Sequence, residues 1–277
     1  MSPSWTSAGL ALGRETVGFA VFQGNACSLE EEPLKARLFS GAPSADAKRA
    51  LVEVLKKVER HIGRRYLPLH VSVPDALVRW AVFELDEMPK SAAARLELAR
   101  FRFARQGVNG ASAYACQPLE RGAGKPLLLG MAMDGAWRGC VAEALEAAGL
   151  RAWSLNANAC RLFNRFEDRL RGQGGALLAA APDAWSLWLC DERGRPRHAR
   201  GRWRAGAGDH AEIALEAERA SLAYVDGAPG RSVARVLVAA GDETAALADA
   251  LDGRLREPCA RLPRENSVAA VAAALER

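Results

Sequence analysis

The sequence predicts an α/β fold made of two related halves, and two observations carry that reading. Residues 7–22, SAGLALGRETVGFAVF, and residues 174–191, GGALLAAAPDAWSLWLCD, share one pattern: an apolar strand, a tight turn and a second apolar strand. In each half that hairpin is followed by a third strand and then by helix, strand and helix. The run Arg171-Gly172-Gln173-Gly174-Gly175 lies between the halves, and its glycines mark it as the interdomain hinge. The first lobe is therefore read as residues 1–171, with an inserted α+β subdomain at about 75–125, and the second, reduced lobe as 172–277.

The elements follow in order. Apolar and β-branched content predicts strands at 8–13, 17–22 and 34–39, with the acidic stretch Asn25–Pro33, containing Glu30-Glu31-Glu32, as the loop before the third. A helix is predicted over about 45–66. Ser44 stands at its N-cap, and Leu51, Val54, Leu55, Val58 and Ile62 recur at helical spacing opposite Lys48, Arg49, Lys56, Lys57 and Arg60. A strand at 69–73, a Pro74-Asp75 turn and an alternating strand at 77–85 come next. Pro89 and Ser91 open a helix running to Gln106. Strands at 112–119 and 126–133 flank the turn 121–124. Asp134 caps a helix that Gly149 ends, and a strand at 151–155 and a helix at 157–171 close the half. The second half predicts strands at 176–181, 185–191 and 195–204, a helix at 209–226, a strand at 234–239, and helices at 243–255 and from Ser267 to the end.

Composition narrows the function classes. With 49% hydrophobic and 26% charged residues, the chain can bury an ordinary core. Its longest apolar runs, such as Pro126–Met133, are strand length and well short of the ~20 residues a membrane helix requires. No basic-then-apolar leader opens the chain, so a cytoplasmic protein is expected. The six cysteines form no CxxC pair and the four histidines show no metal-ligand spacing. No metal site and no catalytic residue is assigned, and neither GxSxG nor GxxxxGK[ST] occurs.

Further stretches carry a resemblance. VSVPDALVRWAVFELDEMPKSAAARLELARFRFARQ at Val71–Gln106, PLLLGMAM leading to EALEAAGL at Glu143–Leu150, and VARVLVAAG at Val233–Gly241 resemble the type IV pilus assembly protein PilM family. The cytoplasmic domain of the type II secretion L protein shares the layout. The resemblance spans nearly the whole chain and implies an actin-like (RNase H-like) α/β fold, in which two lobes close over a nucleotide. It also implies a place on the cytoplasmic side of the inner membrane, held there through partners. The implied partner is the N-terminal cytoplasmic tail of a PilN-like membrane protein, and homo-oligomerisation is left open.

Against that pattern this chain departs at the nucleotide positions. An actin-like site uses two hairpins whose glycines admit phosphates and whose aspartates organise a metal ion and water. The first hairpin reads Gly9-Leu10-Ala11-Leu12-Gly13, with Ala11 in the aspartate position. In the second, the aspartate position falls on Ala179 and the glycine position on Ala181. The adenosine-side pair falls on Ala240 and Gly241. Gly9, Gly13 and Gly241 are thus read as vestiges of a nucleotide site, with Asp183 a turn residue after Pro182. Alanine offers no ligand to Mg²⁺, so neither ATP/Mg nor another cofactor is assigned and no ATP hydrolysis is expected. The short link Arg204–Gly208, where family members carry a larger helical subdomain, removes one wall of the cleft.

Arg200, Arg202 and Arg204 alternate on one predicted strand and would share a face. They are the candidate partner-binding residues, either as a docking stripe for an acidic partner or anionic lipid, or as charges that guard a solvated edge. Two alternatives to the scaffold reading remain: an active ATP-binding PilM-like ATPase, and a basic nucleic-acid-binding module, although outside this strand no aromatic residues interleave with basic ones.

Overall fold

In the computed structural model the described residues are 6–23, 26–62, 68–108, 112–119, 125–172, 174–204, 206, 208–227, 231–240 and 243–262. They form two compact units. One holds the chain up to Pro74 together with Gly135–Arg165; the other holds Asp75–Asp134 and Phe166–Arg264.

The first unit is a five-stranded sheet carrying helices. Its strands are β1 (Thr6–Leu12), β2 (Thr16–Gln23), β3 (Ala26–Pro33), β4 (Leu69–Val73) and β8 (Ala152–Ala157), in the order β3-β2-β1-β4-β8. β1 is antiparallel to β2 and parallel to β4, which is in turn parallel to β8. α1 (Ala45–Ile62) packs against α3 (Gly135–Ala147). Of the predicted stripe, Leu51, Val54, Leu55 and Val58 are buried and the side chain of Ile62 lies outside the described residues; opposite it Arg49, Lys56, Lys57 and Arg60 are exposed and Lys48 is half-buried. The Ser44 hydroxyl accepts from the Ala47 amide at 3.1 Å, which is the expected cap.

The third strand is a correction. The acidic stretch is the strand β3, and residues 34–39 are irregular. Glu30, Glu31 and Glu32 pair with Phe19, Gly18 and Val17 of β2. Their charge is met by basic residues of α1, with Glu32 2.5 Å from Lys57 and Glu30 2.9 Å from His61. Residues 34–39 instead tie down the β1–β2 turn. Leu34 N–H donates to the Glu15 carbonyl at 2.7 Å and Leu38 N–H to the Arg14 carbonyl at 2.8 Å. Leu38 and Phe39 are buried, Phe39 in a left-handed conformation (φ 59°) with its ring on Trp137.

The second unit contains two sheets. β5 (Val78–Glu84), β6 (Ser112–Leu119) and β7 (Leu127–Asp134) form an antiparallel sheet in the order β5-β7-β6. α2 (Ala92–Arg105), capped by Ser91, lays Ala99 and Phe103 on Phe83, Leu128 and Ala132. The other sheet contains β9 (Gly175–Ala180), β10 (Ala184–Cys190), β11 (Pro196–Trp203), β12 (Val236–Ala239) and β13 (Cys259–Arg261). Its order, β11-β10-β9-β12-β13, repeats that of the first unit strand for strand. α5 (His210–Asp226) and α6 (Thr244–Asp252) cover the core centred on Leu178, Leu187, Val238 and Leu247. The short β13 was not predicted, and the expected closing helix from Ser267 lies outside the described residues.

These units differ from a division at residue 171. The inserted segment groups with the later part of the chain because a 3₁₀ turn at Asp75–Leu77 lies across β11. A Cβ at Gly201 of β11 would overlap the Asp75 carbonyl and sit 2.9 Å from the Asp75 Cβ, so only glycine admits this approach. Trp80 of β5 meets Trp188 of β10 edge-to-face with centroids 5.0 Å apart. The glycine run expected as a hinge belongs to this same unit. Gly172 N–H donates to the Glu192 carbonyl at 2.7 Å, and Gly174 (φ 78°) lies against the Ser232 carbonyl, where a Cβ would sit at 2.6 Å.

Candidate functional site

The two hairpins are built alike. Gly13 N–H donates to the Thr16 carbonyl at 2.8 Å, and Ala181 N–H donates to the Ala184 carbonyl at 2.7 Å. Ala11 lies beside Gly18 and Ser72, and Ala179 lies beside Ser186 and Ala239. Ala11 and Ala179 thus occupy equivalent places, each on the first strand of its sheet, two residues before the turn. Neither side chain carries an oxygen that could bind Mg²⁺. Among the described residues no group of three or more His, Cys, Asp or Glu side chains converges as metal ligands. The donor set on these hairpins does not fit a metal–nucleotide complex. Gly9 is buried in the β1 ladder between Ala20 and His70, and Gly13 closes the turn. Gly241 lies outside the described residues. Its neighbour Ala240 donates its N–H to the Thr244 hydroxyl at 3.0 Å.

The structure separates the three candidate arginines. Register places Arg200 opposite Leu187 and Arg202 opposite Trp185, on one face as alternation requires. That face turns towards α5: Arg202 is 2.9 Å and Arg200 3.5 Å from Glu216, both half-exposed. Arg204, expected on the same docking stripe, is buried. It stands just past the end of β11, and its side chain is 1% exposed. Its Nε and Nη2 lie 2.9 and 2.7 Å from Asp209 Oδ1, its Nη2 lies 2.8 Å from Glu243 Oε2, and its Nη1 donates to the Ala181 carbonyl at 3.0 Å. His210 Nε2 joins the same Glu243 oxygen at 2.8 Å. Burial alone would lower the Arg204 pKa; hydrogen bonds to Asp209 and Glu243 hold it above the ordinary value. Burial would likewise raise the Glu243 pKa, but the bonds from Arg204 and His210 hold it below the usual carboxylate value. The turn that would cradle phosphate in a working second hairpin is therefore held by an arginine, with Arg204 N–H also donating to the Asp183 carbonyl at 2.9 Å.

A second buried arginine was not anticipated. Arg161, on α4 (Asn158–Leu170), is 3% exposed. Its Nε donates to Ser72 Oγ at 2.7 Å, and its Nη2 donates to the Val71 carbonyl at 3.0 Å and to Ser154 Oγ at 3.1 Å. Ser154 Oγ is in turn 2.8 Å from His70 Nδ1. Ser72 is the ladder neighbour of Ala11, so the guanidinium lies on the face that Ala11 shares. The available signal was an arginine beside Leu162 and Phe163 on an amphipathic helix, but spacing alone does not say what such a residue touches.

No family model and no curated protein matches the chain. Solved structures do. The PilM-PilN type IV pilus biogenesis complex superimposes with a TM-score of 0.76 over 99% of this chain and 98% of that chain, at 16% identity. The cytoplasmic domain of EpsL, an inner membrane component of the type II secretion system of Vibrio cholerae, gives 0.55 over 96% and 92%, at 11% identity. A Bacteroides thetaiotaomicron protein of unknown function with an actin-like ATPase fold gives 0.55 over 94% and 91%, at 10% identity. The chain has the actin-like fold.

Proposed function

We propose that this chain is a non-hydrolysing actin-like scaffold in the inner-membrane assembly complex of a type IV pilus or type II secretion machine. In this reading it acts on the cytoplasmic face and grips the N-terminal tail of a PilN-like membrane protein. The observation that carries the reading is the end-to-end likeness to the protein of the PilM-PilN complex, which extends over the inserted segment as well as both sheets. No helix among the described residues is long and apolar enough to cross a membrane, in keeping with attachment through a partner.

The absence of hydrolysis is argued from chemistry. Phosphoryl transfer relies on a positioned metal ion and on groups that stabilise charge in the transition state. Alanine at 11 and 179 supplies neither, and Arg204 occupies the second turn. A peptide tail, by contrast, needs only an open strand edge or a groove, with main-chain hydrogen bonds giving affinity and side-chain pockets specificity.

The test is a pull-down of the full chain with the cytoplasmic tail of the membrane protein encoded beside it. Retention that changes little between 50 and 500 mM salt is expected. Failure of a folded chain to retain that tail would sink the scaffold reading. Steeply salt-dependent retention of nucleic acid would favour the basic-module alternative, and Mg-dependent ATP turnover would favour the ATPase.

A further inference from the structure

The second half of α2 leaves an aromatic ring in solvent between arginines. The run Arg100-Phe101-Arg102-Phe103 interleaves aromatic and basic residues, against the expectation that none would do so outside β11. The structure sorts the run by face. Phe103 is 1% exposed and meets Phe83 in the core of the three-stranded sheet, whereas Phe101 is 59% exposed. Ala94 and Ala104 are also exposed and lie on the same side of the helix as Phe101, at seven- and three-residue spacing.

The helix carries four arginines and one glutamate. Glu97, on the Phe101 side, is taken up by Arg100 at 2.7 Å. Arg95 donates to the Pro89 and Lys90 carbonyls, both at 3.1 Å. Arg105 lies over the Phe101 ring, 5.9 Å from its centroid, and neither Arg105 nor Arg102 has a carboxylate partner among the described residues. Exposed bases elsewhere are matched across elements, Lys57 with Glu32, Arg202 with Glu216 and Arg254 with Glu218. The helix dipole favours cations in a last turn, where Arg102 and Arg105 stand. It does not account for a phenyl ring turned to solvent among them.

We propose that this face of α2 rests on an anionic lipid surface, with Phe101 entering the boundary between headgroups and acyl chains and Arg102 and Arg105 binding lipid phosphates. An interfacial helix lies with its apolar side down while its arginine stems run back to the headgroups. A guanidinium pairs with phosphate through two parallel hydrogen bonds, and its charge is complementary to the anionic lipids of a cytoplasmic leaflet. Single-stranded nucleic acid is served less well, because stacking successive bases takes a series of outward rings and Phe103 is committed to the core. One ring and two free guanidinium groups give weak, reversible binding, since stable anchoring takes a second signal. The reading that the chain works beside an inner membrane supplies the setting, but the lipid contact needs no tail, so either can fail alone.

The experiment is flotation of the full chain with vesicles of phosphatidylcholine alone, and of phosphatidylcholine with about 40% phosphatidylglycerol, at about 50 and about 500 mM salt. Binding is expected to the anionic vesicles at low salt, with little at high salt and little to phosphatidylcholine. Arg102→Gln and Arg105→Gln should each weaken it about fivefold, and Phe101→Ser about tenfold. Phe101→Trp, which keeps an interfacial ring, should bind at least as well as the parent. All three positions are exposed, so the variants should keep the parent's thermal midpoint. No flotation with the anionic vesicles, equal flotation with phosphatidylcholine, or unchanged flotation of the folded variants would each overturn the proposal. So would loss of tail retention in the same variants, which would give this face to a protein. Tighter binding of single-stranded DNA, lost in the same variants, would give it to nucleic acid and overturn the proposal equally.

Discussion

The two five-stranded sheets repeat one strand order, and in each a buried arginine lies near an alanine where an actin-like hairpin would place its aspartate. Their settings differ. In the second unit Arg204 is bound by Asp209 and Glu243 and holds the Ala181 turn shut. In the first, Arg161 is held among the described residues by neutral acceptors, and the Gly13 turn is braced by backbone bonds from Leu34 and Leu38. One half closes its second hairpin with a buried ionic cluster. The other keeps glycines in its first hairpin and, among the described residues, sets no carboxylate on its buried guanidinium. Two copies of one strand order can thus set a buried arginine in opposite electrostatic surroundings.

The sharpest way to break the comparison is at the contact that gives the second sheet its extra layer. Gly201→Val would drive a branched side chain into the Asp75 backbone, where even a Cβ overlaps. We expect a loss of more than about 4 kcal/mol in urea unfolding, at the upper end for single substitutions. Gly206→Ala, a few residues on, meets nothing within 4 Å and should fall within about 0.5 kcal/mol of the parent. If Gly201→Val proves as mild as Gly206→Ala, the packing of the Asp75–Leu77 turn on β11 is wrong.

The arginines come next, and they should respond with opposite signs. Arg204→Met removes the partner of two carboxylates from a site where the guanidinium is 1% exposed, so a cost of about 3–5 kcal/mol is expected. Arg161→Met removes a buried charge that no carboxylate among the described residues offsets and should be neutral or stabilising. Equal losses would erase the distinction between the two halves. Acid adds a further contrast. The folded pKa of Glu243 lies below its ordinary value, so its contribution is present above the unfolded pKa and fades as pH falls through the folded one. Stability of the parent should therefore drop below about pH 4.5 more steeply than that of Arg204→Met, measured as urea midpoints across pH 3–6.

How much of this was readable in the sequence follows from what each signal encodes. The hairpins, α1 and α2 were legible because periodicity and caps are local: Ser44 and Ser91 both accept the amide three residues on. The matching hairpin positions of Ala11 and Ala179 were legible from the sequence, and the register places them equivalently. β3 was misread because Glu30–Glu32 look like a loop until the bases of α1 are seen across from them. Alternation correctly put Arg200 and Arg202 on one face, but it carries no information about what covers that face, so Glu216 was invisible. Arg204 breaks the stripe because the strand ends at Trp203 and the next residue turns inward. Nothing local distinguishes Arg161 from a surface arginine, since its contacts come from strands about 7 to 90 residues away.

The smallest effect compares two helix caps, one in each unit. Ser91 opens α2 and Ser44 opens α1, each with one hydroxyl bond to a first-turn amide, at 3.0 and 3.1 Å. Replacing either by alanine should cost about 1 kcal/mol, because the amide it satisfied is left to solvent while the core face of the helix stays buried. The two losses need not be equally visible. α1 lies against α3, so fraying its first turn disturbs a helix–helix seam, with Lys48 and Glu143 paired across it. α2 lies on β6 and β7, and its buried residues Ala99 and Phe103 are both past its first turn. Ser91→Ala should therefore raise hydrogen exchange only within residues 92–95, whereas Ser44→Ala should also raise it in 135–147. Equal spread of exchange from the two caps would mean that α1 and α3 do not share stability in the way their packing implies.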